Sequence, residues 1–140
     1  MIPFRVQFRS GASLFELVVY AATKAMISGQ MRPGDAFPSV RLLSRELKIN
    51  PNTAAKIVQH LVNEGLLETR PGIGTVVAAL PDSTRQERTR LLGHAIEELV
   101  VEAKRLGIGR EEMLASVDEH WRKLSTGDAG KGKHGGERER

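Results

Sequence analysis

The sequence predicts a mainly α-helical protein with one small β-hairpin, and three observations support that prediction. Apolar residues recur at helical spacing in five segments between residues 13 and 124. Two short β-prone runs flank a tip rich in Pro and Gly at residues 71–74, which is typical of a hairpin. Aromatic residues make up only 4% of the chain, so Leu, Val, Ile and Ala must supply most of the core.

Composition excludes several classes of protein. A length of 140 residues leaves room for one ordinary domain, or for a small domain with an appendage, and not for a large two-domain enzyme. The absence of cysteine removes disulfides and thiolate zinc sites, and it fits a reducing compartment. No run of 18 uncharged apolar residues occurs, so we expect a cytoplasmic protein without a membrane partner.

The charge distribution favours an anionic partner for the first part of the chain. The net charge of +4 and the pI of about 9.8 are compatible with nucleic acid and equally with a solvated basic surface. Residues 1–80 carry nine basic and five acidic side chains, whereas residues 81–124 carry eight and nine. The basic excess therefore lies in residues 1–80.

The chain opens with an extended arm followed by a first helix. Apolar and polar residues alternate over residues 1–10, the pattern of a half-buried extended segment that could pair, pack or remain an arm. Ser13 has the position of a helix N-cap with Glu16 three residues later, and Gly29 marks the end of the helix. The turn at Met31–Asp35 follows, and Ala36 and Phe37 could form a very short strand.

Two further helices are predicted close together. Ser39 is the N-cap candidate of a helix of about nine residues. Asn50 and Pro51 then start a third helix, because Asn caps and Pro loses no hydrogen bond at the first helical position. Gly65 ends it. Two helices joined by three or four residues predict a helix-turn-helix.

The predicted hairpin over residues 66–77 follows directly, in the position of a wing. Pro81 ends the strand, and Asp82 or Ser83 can cap the next helix, so we place a boundary near residue 80. The sequence thus predicts a winged helix-turn-helix at residues 11–80, a helical dimerisation region at 81–124 and a disordered tail at 125–140.

Two helices are predicted in the dimerisation region, and their apolar residues should face a partner helix. The fourth helix has the four-three spacing of a helix–helix seam, and the fifth, which begins near Glu111, has an apolar edge. The predicted dimerisation residues are Leu92, Ile96, Leu99, Ala103, Leu106, Leu114, Val117 and Trp121.

The stretch Gly34-Asp35-Ala36-Phe37-Pro38-Ser39-Val40-Arg41-Leu42-Leu43-Ser44 resembles the signature of the GntR family of bacterial transcription regulators, with Phe37 in place of Leu. The segments 50–53, 64–67 and 72–77 continue the match, and the two-helix tail is similar to the YtrA subgroup. The chain departs from the family where an aromatic residue is absent after Lys56 and where Val76 replaces Phe.

A recognition helix needs small polar residues at its N-terminal end, where base edges are reached in the major groove. Asn52 and Thr53 have that position, Lys56 follows one turn later, and Asn50 can act as a cap or a contact. Arg45 could reach DNA or pair with Glu46. The complete predicted DNA-binding set is Arg41, Arg45, Asn50, Asn52, Thr53, Lys56, Arg70, Gly72, Gly74 and Thr75, in which Arg41 matches the family's DNA-contacting arginine.

Other chemistry has little support in the sequence. The four histidines, His60, His94, His120 and His134, show no i,i+4 metal spacing, and no nucleophile elbow, P-loop or paired-carboxylate motif occurs. We therefore expect no metal, no cofactor and no enzymatic activity.

The resemblance implies a homodimeric regulator, more often a repressor than an activator, that binds a near-palindromic double-stranded DNA operator. The alternative is a winged-helix protein-interaction module without sequence-specific DNA binding. A small-molecule effector, if one exists, would bind between subunits or near residue 80, because a short helical hairpin cannot enclose a pocket.

Overall fold

The computed structural model describes residues 1–125, so the tail predicted at 125–140 lies outside the described residues except for Ser125. The described chain is mostly helical with one two-stranded antiparallel sheet, as predicted. It divides into two compact units, Met1–Leu80 and Pro81–Lys123, and each is described in turn.

The three helices of the first unit are α1 (Leu14–Ile27), α2 (Val40–Leu47) and α3 (Pro51–Asn63). Each begins at the cap that the sequence predicts. Ser13 accepts a hydrogen bond from the backbone N–H of Glu16, Ser39 from that of Leu42, and Asn50 from that of Asn52, over 2.7–3.1 Å. These side chains satisfy N–H groups that a helix leaves without a partner, so local sequence alone fixes the start of each helix.

Aliphatic side chains from all three helices form the core of the first unit. Val18, Leu43, Ala54, Ile57 and Leu61 have no exposed surface. None of the described polar or charged residues is buried. The core is therefore apolar, and it holds α2 and α3 in fixed positions.

The hairpin consists of β1 (Leu67–Arg70) and β2 (Gly74–Val77), paired from Leu67 with Val77 to Arg70 with Gly74. The short strand expected at residues 36–37 is a single bridge between Ala36 and Val76. The N–H of Phe37 donates to the carbonyl of Thr75 over 2.9 Å, and the N–H of Gly34 donates to that of Val77 over 2.8 Å. These bonds fix the hairpin against the turn that precedes α2.

The N-terminal segment packs on the rest of the first unit and is not a paired strand. Phe4 is buried and stacks on Phe37, with ring centroids 5.9 Å apart. The side-chain amide of Gln30 donates to the carbonyl of Pro3 over 3.0 Å. Of the alternatives that the alternating pattern left open, the structure shows packing, because Phe4 fills space beside an aromatic residue 33 positions later.

The second unit contains α4 (Arg85–Thr89), a π-helix that we call π1 (Arg90–Ala95), α5 (Ile96–Arg105) and α6 (Arg110–Leu124). The prediction of one regular fourth helix was wrong at π1, where the N–H of Ile96 donates to the carbonyl of Leu91, five residues back. The cap prediction was also wrong. Thr84, not Asp82 or Ser83, caps α4 in a capping box with Glu87.

The second unit has almost no core of its own. Among its described residues only Ala103 is buried, and the N–H of Ile108 donates to the Ala103 carbonyl where the chain turns between α5 and α6. Isolated helices of this length are marginal in water, so these helices need a surface to pack against. Within residues 1–125, no helix has the length and apolar character that crossing a membrane requires.

Candidate nucleic-acid interface

One face of α3 is a continuous polar stripe. Asn52, Lys56, Gln59 and Asn63 are exposed, and their spacing of four, three and four residues places them on one side of the helix. The buried residues Ala54, Ile57 and Leu61 lie on the opposite side. We call the four exposed residues the polar stripe; amides and a lysine of this kind bind base edges and phosphates.

The two other predicted residues at this end of α3 have different surroundings. Asn50 uses its side-chain oxygen to cap the helix, which leaves its NH₂ group as its remaining donor. Thr53 is half-buried on the flank between the polar stripe and the core. Asn52 thus has an exposed side chain that does not cap the helix, while Asn50 mainly fixes where the first turn begins.

A tight turn sets the position of α3 relative to α2. Lys48 has φ 57° and ψ 48°, the left-handed conformation that ends many helices, and it is the one described non-glycine residue with positive φ. The N–H groups of Lys48 and Ile49 both donate to the carbonyl of Ser44, and Ile49 is buried. The turn therefore buries Ile49 in the core and leaves Lys48 exposed just before α3 begins.

Arg41 and Arg45 lie one turn apart on α2 and are exposed. Within the described residues, neither forms an ion pair. Glu46, the acid beside Arg45, lies 3.4 Å from the amino group of Met1 instead. Both guanidinium groups therefore keep their donors available for phosphate or for guanine.

The hairpin presents a rigid, uncharged tip. The N–H of Ile73 donates to the carbonyl of Arg70 over 3.0 Å, which closes a turn with Pro71 and Gly72 at its centre. Gly72 and Gly74 have φ of 78° and 114°, which L side chains rarely adopt. A Cβ at either glycine would meet nothing within 4 Å, so the conformation, not crowding inside the chain, requires glycine. The tip can thus approach another molecule closely.

The predicted wing contacts Arg70 and Thr75 are both constrained. Arg70 donates from Nε and Nη2 to the Oε2 atom of Glu68, over 2.9 and 2.7 Å. Thr75 is half-buried, and its carbonyl accepts the bond from Phe37. The positive charge of Arg70 is therefore compensated within its own strand, and DNA would have to compete with a carboxylate for it.

The residues predicted for dimerisation are exposed apolar side chains on the helices of the second unit, with one exception. Ala103 is buried inside its own subunit, so it is not available to a partner. The reason is the turn at Gly107, which folds Ile108 back onto the end of α5. The other predicted residues, all exposed, are Leu92, Ile96, Leu99, Leu106, Leu114, Val117 and Trp121.

The described histidines have no common site. His60 packs edge-on against Phe15 at a centroid distance of 5.3 Å, and Nε2 of His94 lies 3.2 Å from the Glu98 carboxylate. No group of three or more His, Asp or Glu side chains within residues 1–125 is arranged to hold a metal ion. The fourth histidine, His134, lies outside the described residues.

Sequence reasoning missed several exposed residues of these surfaces. Gln59 and Asn63 extend the polar stripe, and their signal was available in the spacing from Lys56. Ile73 is 70% exposed at the hairpin tip between two glycines. Leu91 is also exposed, at 59%, among the apolar residues of the second unit.

Comparison with known proteins places the chain among bacterial regulators. The model of the bacterial regulatory proteins of the gntR family matches residues 16–77. YhcF of Bacillus subtilis (strain 168), an uncharacterized HTH-type transcriptional regulator, is 30% identical over 111 residues, covering 79% of this chain and 92% of YhcF. The HTH-type transcriptional repressor YtrA of the same strain is 30% identical over 112 residues, covering 79% of this chain and 86% of YtrA.

A solved structure shares the fold. The structure described as a transcriptional antiterminator from Listeria monocytogenes EGD-e has a TM-score of 0.75 and 24% identity, covering 86% of this chain and 91% of that one. At this identity the likeness establishes architecture alone. The two Bacillus relatives are matched across most of their length, and they establish the family as well as the architecture. This chain belongs to the GntR family of bacterial transcription regulators, as its signature residues predict.

Proposed function

We propose that this regulator is a homodimeric repressor that binds a near-palindromic DNA operator, with α3 in the major groove and the hairpin against the flanking backbone. One observation carries the DNA-binding part. The polar stripe of Asn52, Lys56, Gln59 and Asn63 is exposed opposite a fully buried core face, and the preceding helix carries two arginines that form no ion pair with any described residue. A protein-interaction surface would not need that combination of base-reading amides and available cations.

The chemistry of each side chain indicates its role in DNA binding. Asn52 can donate and accept in the bidentate manner that selects adenine, so it acts as a base-reading residue. Arg41, Arg45 and Lys56 carry charges that bind phosphate and fix the register of α3 on the duplex. Asn50 supports these contacts by fixing the first turn of the helix.

The dimer is supported by the amount of apolar surface exposed in the second unit. Six aliphatic side chains are about half exposed and Trp121 is 74% exposed. At about 1.5–3 kcal/mol per fully buried aliphatic side chain, with more for the tryptophan, burying this surface on two copies is worth roughly 20 kcal/mol. Association costs about 4–15 kcal/mol, so a second copy is a sufficient partner.

The test of DNA binding uses fragments selected from random duplexes, followed by titration at several salt concentrations. Lys56→Ala should weaken binding and flatten the slope of log affinity against log salt by about 0.9 for each phosphate that the protein no longer neutralises. Lys104→Ala, an exposed lysine of α5, is the matched control and should leave the slope unchanged. Asn52→Ala should relax base preference at one position in each half-site. Equal behaviour of the two lysine variants would refute the assigned interface.

The test of the dimer is Leu99→Asp, which places a carboxylate in the exposed apolar surface. We expect monomers in sedimentation equilibrium and an unchanged fold of the first unit. A variant that stays dimeric would place the interface elsewhere. An effector that binds between subunits would act through this same equilibrium.

A further inference from the structure

The proposed dimer surface contains a residue that a regular helix would point away from it. Leu91 precedes Ile96 by five residues, and at 100° per residue an α-helix would place it about 140° from Ile96, on the outer side. The π-helix changes this placement. A hydrogen bond links the N–H of Ile96 to the carbonyl of Leu91, so the five residues make about one turn and Leu91 lies below Ile96.

We infer that π1 determines which side chains face the partner in the dimer. It rotates Leu91 towards Leu92, Ile96 and Leu99, which we call the apolar seam, and there Leu91 packs against a second copy of this chain. The inference rests on the proposed homodimer and adds a residue to it. Leu91 is 59% exposed in the single subunit, an extent that a second copy would cover together with Leu92 and Ile96. Turns of this kind are rare inside α-helices, and they recur at functional positions.

The residues at the centre of the seam are uncharged, which allows a self-complementary apolar contact. Leu91, Leu92, Ile96 and Leu99 carry no charge, and two of the acidic side chains near them have partners within the subunit. Glu98 lies beside His94, and Glu102 accepts a hydrogen bond from Arg105 that lowers the pKa of this carboxyl. The seam can therefore be buried against its own copy without leaving an unpaired charge at its centre.

The chain provides a matched control for this inference. Val101 follows Ile96 by five residues, as Leu91 precedes it by five, but the hydrogen bonding between them is that of a regular α-helix. Val101 therefore lies about 140° away from the seam. Val101 is 62% exposed and Leu91 is 59% exposed. The two residues therefore differ in the side of the helix on which they lie, while their accessibility is nearly the same.

The experiment measures the dimer dissociation constant of the full chain by sedimentation equilibrium, with helix content followed by circular dichroism. Leu91→Asp should raise the constant by about tenfold or more, whereas Val101→Asp should change it less than about threefold. A third variant lacks His94 and so removes the extra residue of the π turn. It should remain dimeric, because Leu91 then precedes Ile96 by four residues in an ordinary α-helix.

The outcomes separate this inference from the proposed function. The inference is supported if Leu91→Asp raises the dimer dissociation constant both in the full chain and in the variant lacking His94. Val101→Asp should leave that constant nearly unchanged in the same measurement. A Leu91→Asp variant that is disruptive only when His94 is deleted would show that the full chain has a regular helix there, and it would overturn the inference. Equal effects at Leu91 and Val101 would also overturn it. A wild-type chain that is monomeric at all concentrations would instead refute the homodimer itself.

Discussion

Replacing Glu68 with Gln should strengthen DNA binding, because Glu68 now holds the guanidinium of Arg70. Two hydrogen bonds of 2.9 and 2.7 Å join these side chains, and both are about half exposed. An exposed ion pair of this kind contributes only about 0–1 kcal/mol to stability, so the substitution should leave the fold intact. It also removes a negative charge from the strand that we place beside the DNA backbone.

The magnitude follows from counterion release. If each freed Arg70 neutralises one further phosphate, a dimer neutralises about two more phosphates, and the slope of log affinity against log salt becomes steeper by about 1.8. Between about 50 and 200 mM salt, the affinity advantage of Glu68→Gln over the wild type should then shrink by roughly twelvefold. Fluorescence anisotropy with one labelled operator at several salt concentrations measures both quantities.

Glu68 has two effects: it holds the guanidinium of Arg70, and its carboxylate repels phosphate. The Arg70→Ala background separates them. There, Glu68→Gln can relieve only the direct repulsion between the carboxylate and phosphate, so the additional steepening of the slope should disappear. If Glu68→Gln leaves both affinity and slope at their wild-type values, the hairpin does not bring Arg70 to a phosphate. The wing would then contact DNA only through its uncharged tip, if at all.

Three further substitutions and one control test the architecture of the first unit. Asn50→Ala removes the 2.7 Å cap bond and should cost about 1 kcal/mol, lowering the melting temperature by about 4–8 °C without changing the salt slope; an unchanged melting temperature would contradict the capping role. Ile57→Ala, at a residue with no exposed surface, should cost about 2–5 kcal/mol in urea unfolding, whereas Ile73→Ala at the exposed tip should stay within about 0.5 kcal/mol. Lys48→Gly should raise stability by about 0.5 kcal/mol because it relieves the left-handed backbone, and a decrease in stability would refute that strain.

Local signals in the sequence predicted the helices of the first unit well. Ser13, Ser39 and Asn50 cap the helices they were expected to cap, because capping depends only on residues two or three positions away. The hairpin was predicted for a similar reason, since Pro71 and Gly72 favour the turn that pairs its strands. The DNA contacts assigned to the first unit stay predictions, which the salt titrations of the lysine and arginine variants test.

Features that depend on distant residues or on a change of helix type could not be predicted in the same way. Phe4 joins the core only because Phe37 is brought beside it. The apolar spacing around Leu92 fits an α-helix, so nothing in the period reveals the π turn that precedes Ile96. The pairing of Arg70 with Glu68 is different. Residues two apart on a strand share a face, and that signal was present in the sequence.

Salt dependence can distinguish a defect in the DNA-binding unit from a defect in association. In the proposed interface Arg41, Arg45 and Lys56 each neutralise one phosphate, so one subunit should bind with a slope of about −2.7 and a dimer with a slope of about −5.4. A variant of the first unit such as Lys56→Ala changes the slope by about 1.8 at every protein concentration at which the dimer persists. A seam variant such as Leu99→Asp instead halves the slope, and only below its dimer dissociation constant, because the first unit of each subunit is intact but binds DNA singly. The concentration dependence of the slope therefore assigns each residue to DNA contact or to dimerisation without a structure of the complex.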